Sequence, residues 1–521
     1  MGWSEQRGNF WRARWKAPNG KIESMSGFLT EKAADTYWQD QEAAIRAQRY
    51  VDPRAGQILF EEWANLWFRA LDLEPSTMAN YRYQFEHNIL PFFQGRSLAA
   101  IAREEVTAWE KDLVRVHGKS PRTAKDARVT LASCLSAAMP HRIQFNPAAK
   151  EKARGRRGLR RVEKAQAKQR SKDVPTPLEV LLYAERIAIL SGQDDDLARE
   201  LLYAFGGVRW SEALALGPDY LTEDGALDVV EKLFELEGKF YRGIPKDGSL
   251  RQVDLPPLLM DLLADMKPRR CTCKPRTRLP GDPQWCQGGE YLILGPGGGH
   301  PRRSNASRRF VRPAADGWWP GLGGAQPRPA MPVLVDLSRG WPGVPVNPWP
   351  AAGKGAFTPP RIVERGRAHK VLSPDTPIAT WLPIRQGLTT HWLRHAQQTW
   401  MAEDRIPDIM RDERMGHQVQ DESRIKAAMR DHYTHTTERM RADVVATQQQ
   451  RLETALMQRA ELERHWAEAG LPRRSPVALL DRLLEPYRQK TVSSLSTPLT
   501  PRLGGRRRPV RLTARGAAHA G

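Results

Sequence analysis

The chain has 521 residues, too many for one ordinary core, and at about 150 residues per domain it divides into three or four units. Lys and Arg number 81 against 60 Asp and Glu, and the formal net charge of +21 calls for a polyanionic partner, nucleic acid ahead of a membrane surface. Mean hydropathy is -0.60, no apolar run nears the roughly 20 residues that span a bilayer, and "MGWSEQRGNFW" has no leader-like apolar stretch, so a soluble, cytoplasmic protein without a membrane role is expected. Four cysteines, Cys134, Cys271, Cys273 and Cys286, are too sparse for a disulfide framework and fit a reducing compartment.

In chain order, "GNFWRARWKAPNGKIESMSGF" alternates, with Trp11, Ala13 and Trp15 on one face and Arg12, Arg14 and Lys16 on the other. An Asn19-Gly20 turn follows, so a hairpin with a basic, DNA-facing ribbon is expected. Thr30 caps a helix after it, completing a sheet-plus-helix module over residues 1–50. Helical spacing then runs through residues 57–148, with "STMANYRYQFEHNILPFF" among its segments and Pro91, Gly95 and Gly118 as punctuation. Residues 149–175 read as an exposed basic linker.

From 176 the pattern turns to mixed helix and strand up to about 447, with a strand pair predicted across "KFYRGIPKDGSLRQVDL" and a Gly/Pro-rich insertion at about 267–370. A helical extension at 448–490 and a disordered basic tail at 491–521 close the chain. The fold class is mainly α with small β elements.

Chemistry concentrates in "GGVRWSE", with Arg209 and Glu212, then "PKDGSLR" with Lys246, "HWLRHAQQT" with His391 and Arg394, "MGH" with His417, and "YTH" with Tyr433. His391 and Arg394 at i and i+3 share a helix face and could grip one oxyanion. His391 and His395 have the spacing of a zinc helix, but Trp392 stands where a hydrolase of that type needs its glutamate, and Arg394 would crowd the metal with charge. Cys271, Cys273, Cys286 and His300 could hold a structural zinc, although a C-x-C pair with a distant third Cys is a loose pattern.

Taken together in this order, the five segments resemble the tyrosine recombinases, specifically the phage-type integrases. "STMANYRYQFEHNILPFFQGRSLAAI" is similar to the start of that family's core-DNA-binding domain, and residues 1–50 to its arm-type module. Met415 replaces the family's usual Leu, and the interval from His417 to Tyr433 is longer than its common form. The resemblance implies a mixed α/β recombinase catalytic domain with Tyr433 as nucleophile. Arg209, Arg394, His391 and His417 would lie on the phosphate, Lys246 would be general acid and Glu212 a support. It implies strand cleavage and rejoining through a 3'-phosphotyrosine, for integration or excision of a mobile element, with no ATP and no catalytic metal.

The implied partners are double-stranded attachment-site DNA, bound as a tetramer, and a host DNA-bending protein or an excision factor. Leu452 and Leu456, at i and i+4, are expected to dock on a neighbouring protomer. A catalytically silent DNA-binding protein and a type IB topoisomerase are the alternatives. Because the N-terminal module would neutralise a separate set of phosphates, deleting residues 1–50 should spare core-site cleavage and abolish integration in a two-site recombination assay.

Overall fold

The computed structural model describes residues 2–47, 50, 55–150, 174–275, 284–321, 330–338, 340–346, 361–364, 367–371, 375–417, 435–470 and 474–488. Most of the basic linker, the segment holding Tyr433 and the C-terminal tail therefore lie outside the described residues. The chain divides into two units, 1–157 and 158–521. Among the described residues, no helix is long and apolar enough to cross a membrane.

In the first unit, β1 (Trp3–Arg7), β2 (Phe10–Lys16) and β3 (Ile22–Phe28) form an antiparallel sheet in that order. The β2–β3 turn falls at Asn19-Gly20, with Gly20 at φ +81. Ala13 and Trp15 are buried, as the alternation requires, and Trp15 meets Tyr37 of α1 (Glu31–Arg46) edge-on. Thr30 caps α1 by accepting the Ala33 N–H.

The helices that follow include α2 (Phe60–Arg69), α3 (Pro75–Gln84), α4 (Arg103–Arg115) and α5 (Pro121–Ala137). Phe60, Phe85, Phe93, Trp109 and Leu131 are buried among them. In the segment 76–93, where Pro91 was expected to punctuate the helical spacing, a π turn forms at Phe85–Ile89. Pro91 lacks the N–H that the His87 carbonyl would receive, so the helix widens there.

The second unit is built around α6 (Pro177–Ser191), buried on nearly every side. Thr176 and Glu179 cap its start reciprocally, and Gly192 ends it in the left-handed conformation. Then come α7 (Asp195–Leu201), α8 (Trp210–Leu214) and the strands β4 (Ala226–Val229), β5 (Lys232–Leu236), β6 (Lys239–Gly243) and β7 (Arg251–Asp254). Next are α9 (Pro257–Ala264) and the paired strands β8 (Arg269–Arg270) and β9 (Glu290–Tyr291). The C-terminal part holds α10 (Thr390–Glu403), α11 (Asp408–Met415), α12 (Glu438–Glu468) and α13 (Ala478–Leu484).

Two features depart from expectation. The Gly/Pro-rich interval supplies core: Tyr291, Ile293, Val311, Ala314, Trp319, Val333 and Val335 are buried in the same cluster as α6. Helix α12 runs unbroken across 447 and 448, and it packs on α6 of its own chain. Leu452 and Leu456, expected on a neighbouring protomer, are fully buried within this unit. Beside them, Arg459 of α12 forks onto Glu185 of α6 at 2.7 and 2.9 Å, with neither side chain exposed.

Replacing Glu185 by Ala leaves that buried guanidinium with Glu463 at 3.3 Å in place of a two-pronged pair, and should destabilise the second unit by about 3 kcal/mol in urea unfolding. Leu456→Ala should cost about 2–5 kcal/mol in the isolated monomer, before any assembly, as removal of core rather than interface demands.

Candidate active site

The site begins where a helix stops. Helix α7 ends in a π turn at Leu202–Gly206, so the Phe205 carbonyl has no helical donor. Gln397 Nε2 donates to it at 2.6 Å and Arg414 Nη2 at 2.8 Å. Gly207 then turns the chain at φ +68, where a Cβ would stand 1.8 Å from Gln397 Oε1. Only glycine fits both that conformation and that space. Two residues later Arg209 opens α8.

Glu212, in the first turn of α8, collects the charges around it. It accepts from the Arg209 N–H at 2.8 Å, from Arg209 Nη1 at 2.7 Å and from Arg251 Nη2 at 2.7 Å, the last reaching over from β7. Its side chain is 2% exposed. Burial alone would raise its pKa, but Arg251 and then Arg209 outweigh burial and hold it down to about 2. Arg251 is fixed in turn by its Nε–H, which donates to the Arg414 carbonyl at 2.9 Å.

Arg394 comes from α10 and is buried. Its two Nη groups donate to the carbonyls of Gly207 and Met415, so among the described residues its hydrogen bonds go to backbone and not to a carboxylate. Burial, then Arg209 and Arg251, lower its pKa to about 9, which leaves it charged at neutral pH. Two guanidiniums thus bind one carboxylate, and a third is held beside them by backbone carbonyls.

The imidazoles respond to that excess. His391 stands one turn before Arg394, with its ring 4.6 Å from that of His395. Partial burial, His395 and Arg394 bring its pKa down to about 4. His417 follows the left-handed Gly416 that ends α11, and its Nδ1 lies 3.9 Å from Asp412 Oδ1. Burial and Arg394 lower its pKa against the opposing pull of Asp412. Both rings are neutral at pH 7, each with one N–H to donate and one nitrogen to accept.

Lys246 is exposed in a short 3-10 turn, Lys246–Gly248. The hairpin expected to carry it is not formed, because β6 pairs with β5 and β7 pairs with β4. Lys246 instead sits on the connection between two strands with different partners. That connection reaches the arginines through Ser249, whose N–H donates to the Lys246 carbonyl at 3.2 Å and whose Oγ accepts from Arg209 Nη1 at 3.4 Å.

Tyr433 lies outside the described residues. Three residues beyond it, Thr436 Oγ1 donates to Glu413 Oε2 of α11 at 2.5 Å, and Arg441 binds both Glu413 and Asp254. The other tyrosine near the end of the helical region, Tyr487, is half-buried, and burial followed by Glu453 raises its phenol to about 12. In the N-terminal sheet, Arg12 and Arg14 both pair with Glu5 at 3.3 Å, and Arg12 Nε also donates to Ser26 Oγ at 2.7 Å. Of the three expected phosphate-facing cations, these two are already paired, while Lys16 is exposed.

Arg251, Ser249, Gln397 and Arg414 were not singled out by sequence reasoning. For Arg251 a signal existed: it shares strand parity with the apolar Val253 and Leu255, which places it on the core face.

Residues 59–114 match the family model "Phage integrase, N-terminal SAM-like domain". That stretch is similar to the N-terminal SAM-like domain of the phage integrases. With that match, the resemblance of the chain to the phage-type tyrosine recombinases is borne out. No curated protein matches the chain. Among solved structures, the Tn1549 transposon integrase in complex with transposon right end DNA aligns with a TM-score of 0.39 and 12% identity over 73% of this chain and 96% of that one. A lambda integrase dimer bound to a COC' core site gives 0.33 and 14% over 84% and 96%. A lambda integrase tetramer bound to a Holliday junction gives 0.34 and 14% over 81% and 96%. At these scores the alignments carry no argument about the site.

The depressed pKa of Glu212 sets a pH signature. A carboxyl held near 2 in the fold and about 4.5 when unfolded stabilises the protein above pH 4.5, and this contribution disappears as pH falls through about 2. Glu212→Gln should therefore be less stable than the parent by about 3 kcal/mol at pH 7, with the gap closing progressively below pH 4.5 in denaturant titrations. A pH-independent gap would mean that packing, and not charge, sets the role of Glu212.

Proposed function

We propose that this chain is a site-specific DNA recombinase that cuts and rejoins strands through a covalent link to Tyr433. The observation that carries the reading is the excess of positive charge at the α8 turn: Arg209, Arg251 and Arg394 face the single carboxylate of Glu212, with neutral His391 and His417 beside them. Such an excess of positive charge favours binding of an anion. A phosphodiester supplies one, and its two non-bridging oxygens gain charge as phosphorus becomes five-coordinate, which planar guanidinium forks stabilise.

In the proposed step the Tyr433 oxygen forms a bond to phosphorus and the bond from phosphorus to the 5'-oxygen breaks. The electron pair leaves with that oxygen, which takes a proton from Lys246. The phenol proton passes to a neighbouring acceptor, a role open to the neutral His391 imidazole, whose basicity the negative charge of the bound phosphate raises. A free 5'-hydroxyl then reverses the sequence on the 3'-phosphotyrosine, so no ATP is consumed. Glu212 stays ionised throughout and positions Arg209 and Arg251. Three residues beyond Tyr433 in sequence, Thr436 is held at α11, the helix that ends just before His417, which supports the reading.

Tetrameric assembly on double-stranded DNA, and the arm-type role of Arg12, Arg14 and Lys16, belong to the same proposal and rest on the motif resemblance. So does recruitment of a host DNA-bending protein or an excision factor.

The test changes the leaving group. Sulfur at the 5'-bridging position departs as a thiolate without needing a proton. Lys246→Ala should cleave ordinary DNA about 100-fold to 10,000-fold more slowly and regain near-parental rate on the phosphorothiolate. Arg209→Ala, which loses contact with the non-bridging oxygens, should not be rescued, and Tyr433→Phe should form no covalent adduct with either substrate. An adduct surviving Tyr433→Phe removes the nucleophile assignment. Binding without adduct formation by the parent protein would make it a silent DNA-binding protein, and relaxation of supercoils without strand exchange would make it a topoisomerase.

A further inference from the structure

Three of the four cysteines meet at one point in the second unit, with a histidine among them. Strand β8 delivers Cys271 and Cys273, and its pairing with β9 places Arg269 opposite Tyr291. The Cys271 N–H donates to the Gly289 carbonyl at 2.9 Å, which holds the β8 exit against the approach to β9. Cys286 is brought in by its own N–H, which donates to the Phe240 carbonyl of β6 at 2.8 Å. His300 returns through a glycine turn in which the Gly295 N–H donates to the Gly299 carbonyl and the Thr272 N–H to that of Gly298. These separate stretches of chain, secured by backbone bonds, put the ligand atoms of Cys271, Cys273, Cys286 and His300 within 4.8 Å of one another.

The spacing is informative. Cys271 and Cys286 have their sulfurs 3.6 Å apart, far beyond the roughly 2.05 Å of a disulfide, and all four cysteines of the chain are free. Four donors around zinc, with Zn–S near 2.3 Å and Zn–N near 2.0–2.1 Å, form a tetrahedron whose S–S edge is about 3.8 Å and whose S–N edge is about 3.5 Å. Cys286 Sγ and His300 Nε2 are 3.4 Å apart. Both observed edges lie close to that figure.

The local backbone is also arranged for thiolates. The N–H of Cys273 is directed at the sulfur of Cys271, and that of Gly288 at the sulfur of Cys286, each two residues ahead of the cysteine it serves. Backbone donors of this kind hold and orient a sulfur that binds a metal. Cys134, in the other unit, is the contrast: a lone buried cysteine packed as a small apolar side chain.

We infer that Cys271, Cys273, Cys286 and His300 bind one zinc ion in a closed structural site. Three thiolates and an imidazole are a soft, tetrahedral set with no position left for water, so the ion holds the fold and takes no part in strand cleavage. It pins the Gly/Pro-rich interval to β6, the strand that leads into the Lys246 turn. The inference is independent of the recombinase reading.

The test uses the full chain, purified under reducing conditions without chelator and with any histidine tag removed. Elemental analysis should find one zinc per chain, released by a thiol-modifying mercurial, and exchange for Co²⁺ should give thiolate-to-cobalt charge transfer with the visible bands of a tetrahedral site. Cys286→Ser and His300→Ala should lose the metal, whereas Cys134→Ser should keep it. Because the cobalt spectrum is read on the parental protein, it stands even where those variants fail to fold. Folded parental protein with no bound zinc and no tetrahedral cobalt spectrum overturns the site, and stoichiometric iron in place of zinc overturns the choice of metal.

Discussion

Everything in the second unit's functional region depends on one carboxylate. Glu212 is buried between Arg209 and Arg251, and without it their guanidiniums would repel each other and the nearby Arg394. Coulomb repulsion between partly buried cations is screened less than in water, and Glu212 offsets part of it. It offsets only part, and the remaining positive charge is what a phosphate would neutralise.

Backbone carbonyls complete the arrangement. The π turn at 202–206 leaves the Phe205 carbonyl to Gln397 and Arg414, while Arg394 spans the carbonyls of Gly207 and Met415. Helices α10 and α11 are therefore tied to the Arg209 turn by hydrogen bonds from charged and amide side chains. Such bonds are directional, and they fix where Arg394, His391 and His417 stand relative to one another. Loss of Gly207 would disturb all of them, because its Cβ would displace the Gln397 amide.

Much of this was legible in the sequence. The alternation at 10–16, the Asn19-Gly20 turn, the Thr30 cap and the apolar spacing of the helical domain follow from local chemistry, and the structure has each of them. Lys246 was misplaced because strand pairing is not local: the "KDG" turn suggested that β6 and β7 pair, whereas each pairs with a different strand. Leu452 and Leu456 mark an apolar stripe, but a stripe says only that a face is covered and not whether the cover belongs to the same chain. Arg251 escaped because a cation on the core face of a strand makes sense only once Glu212 is seen opposite it.

The Gly/Pro-rich interval has a consequence for how such a chain can change over time. Segments that loop out from a finished core can be lengthened, shortened or lost with little effect on the rest. Here Ile293, Val311, Ala314, Trp319 and Val335 fill the same interior as α6, and the volume they occupy has no other occupant among the described residues. A lineage that discarded the interval would have to refill that space with new side chains elsewhere. The interval and the helices it packs against are therefore bound to vary together, as parts of one interior.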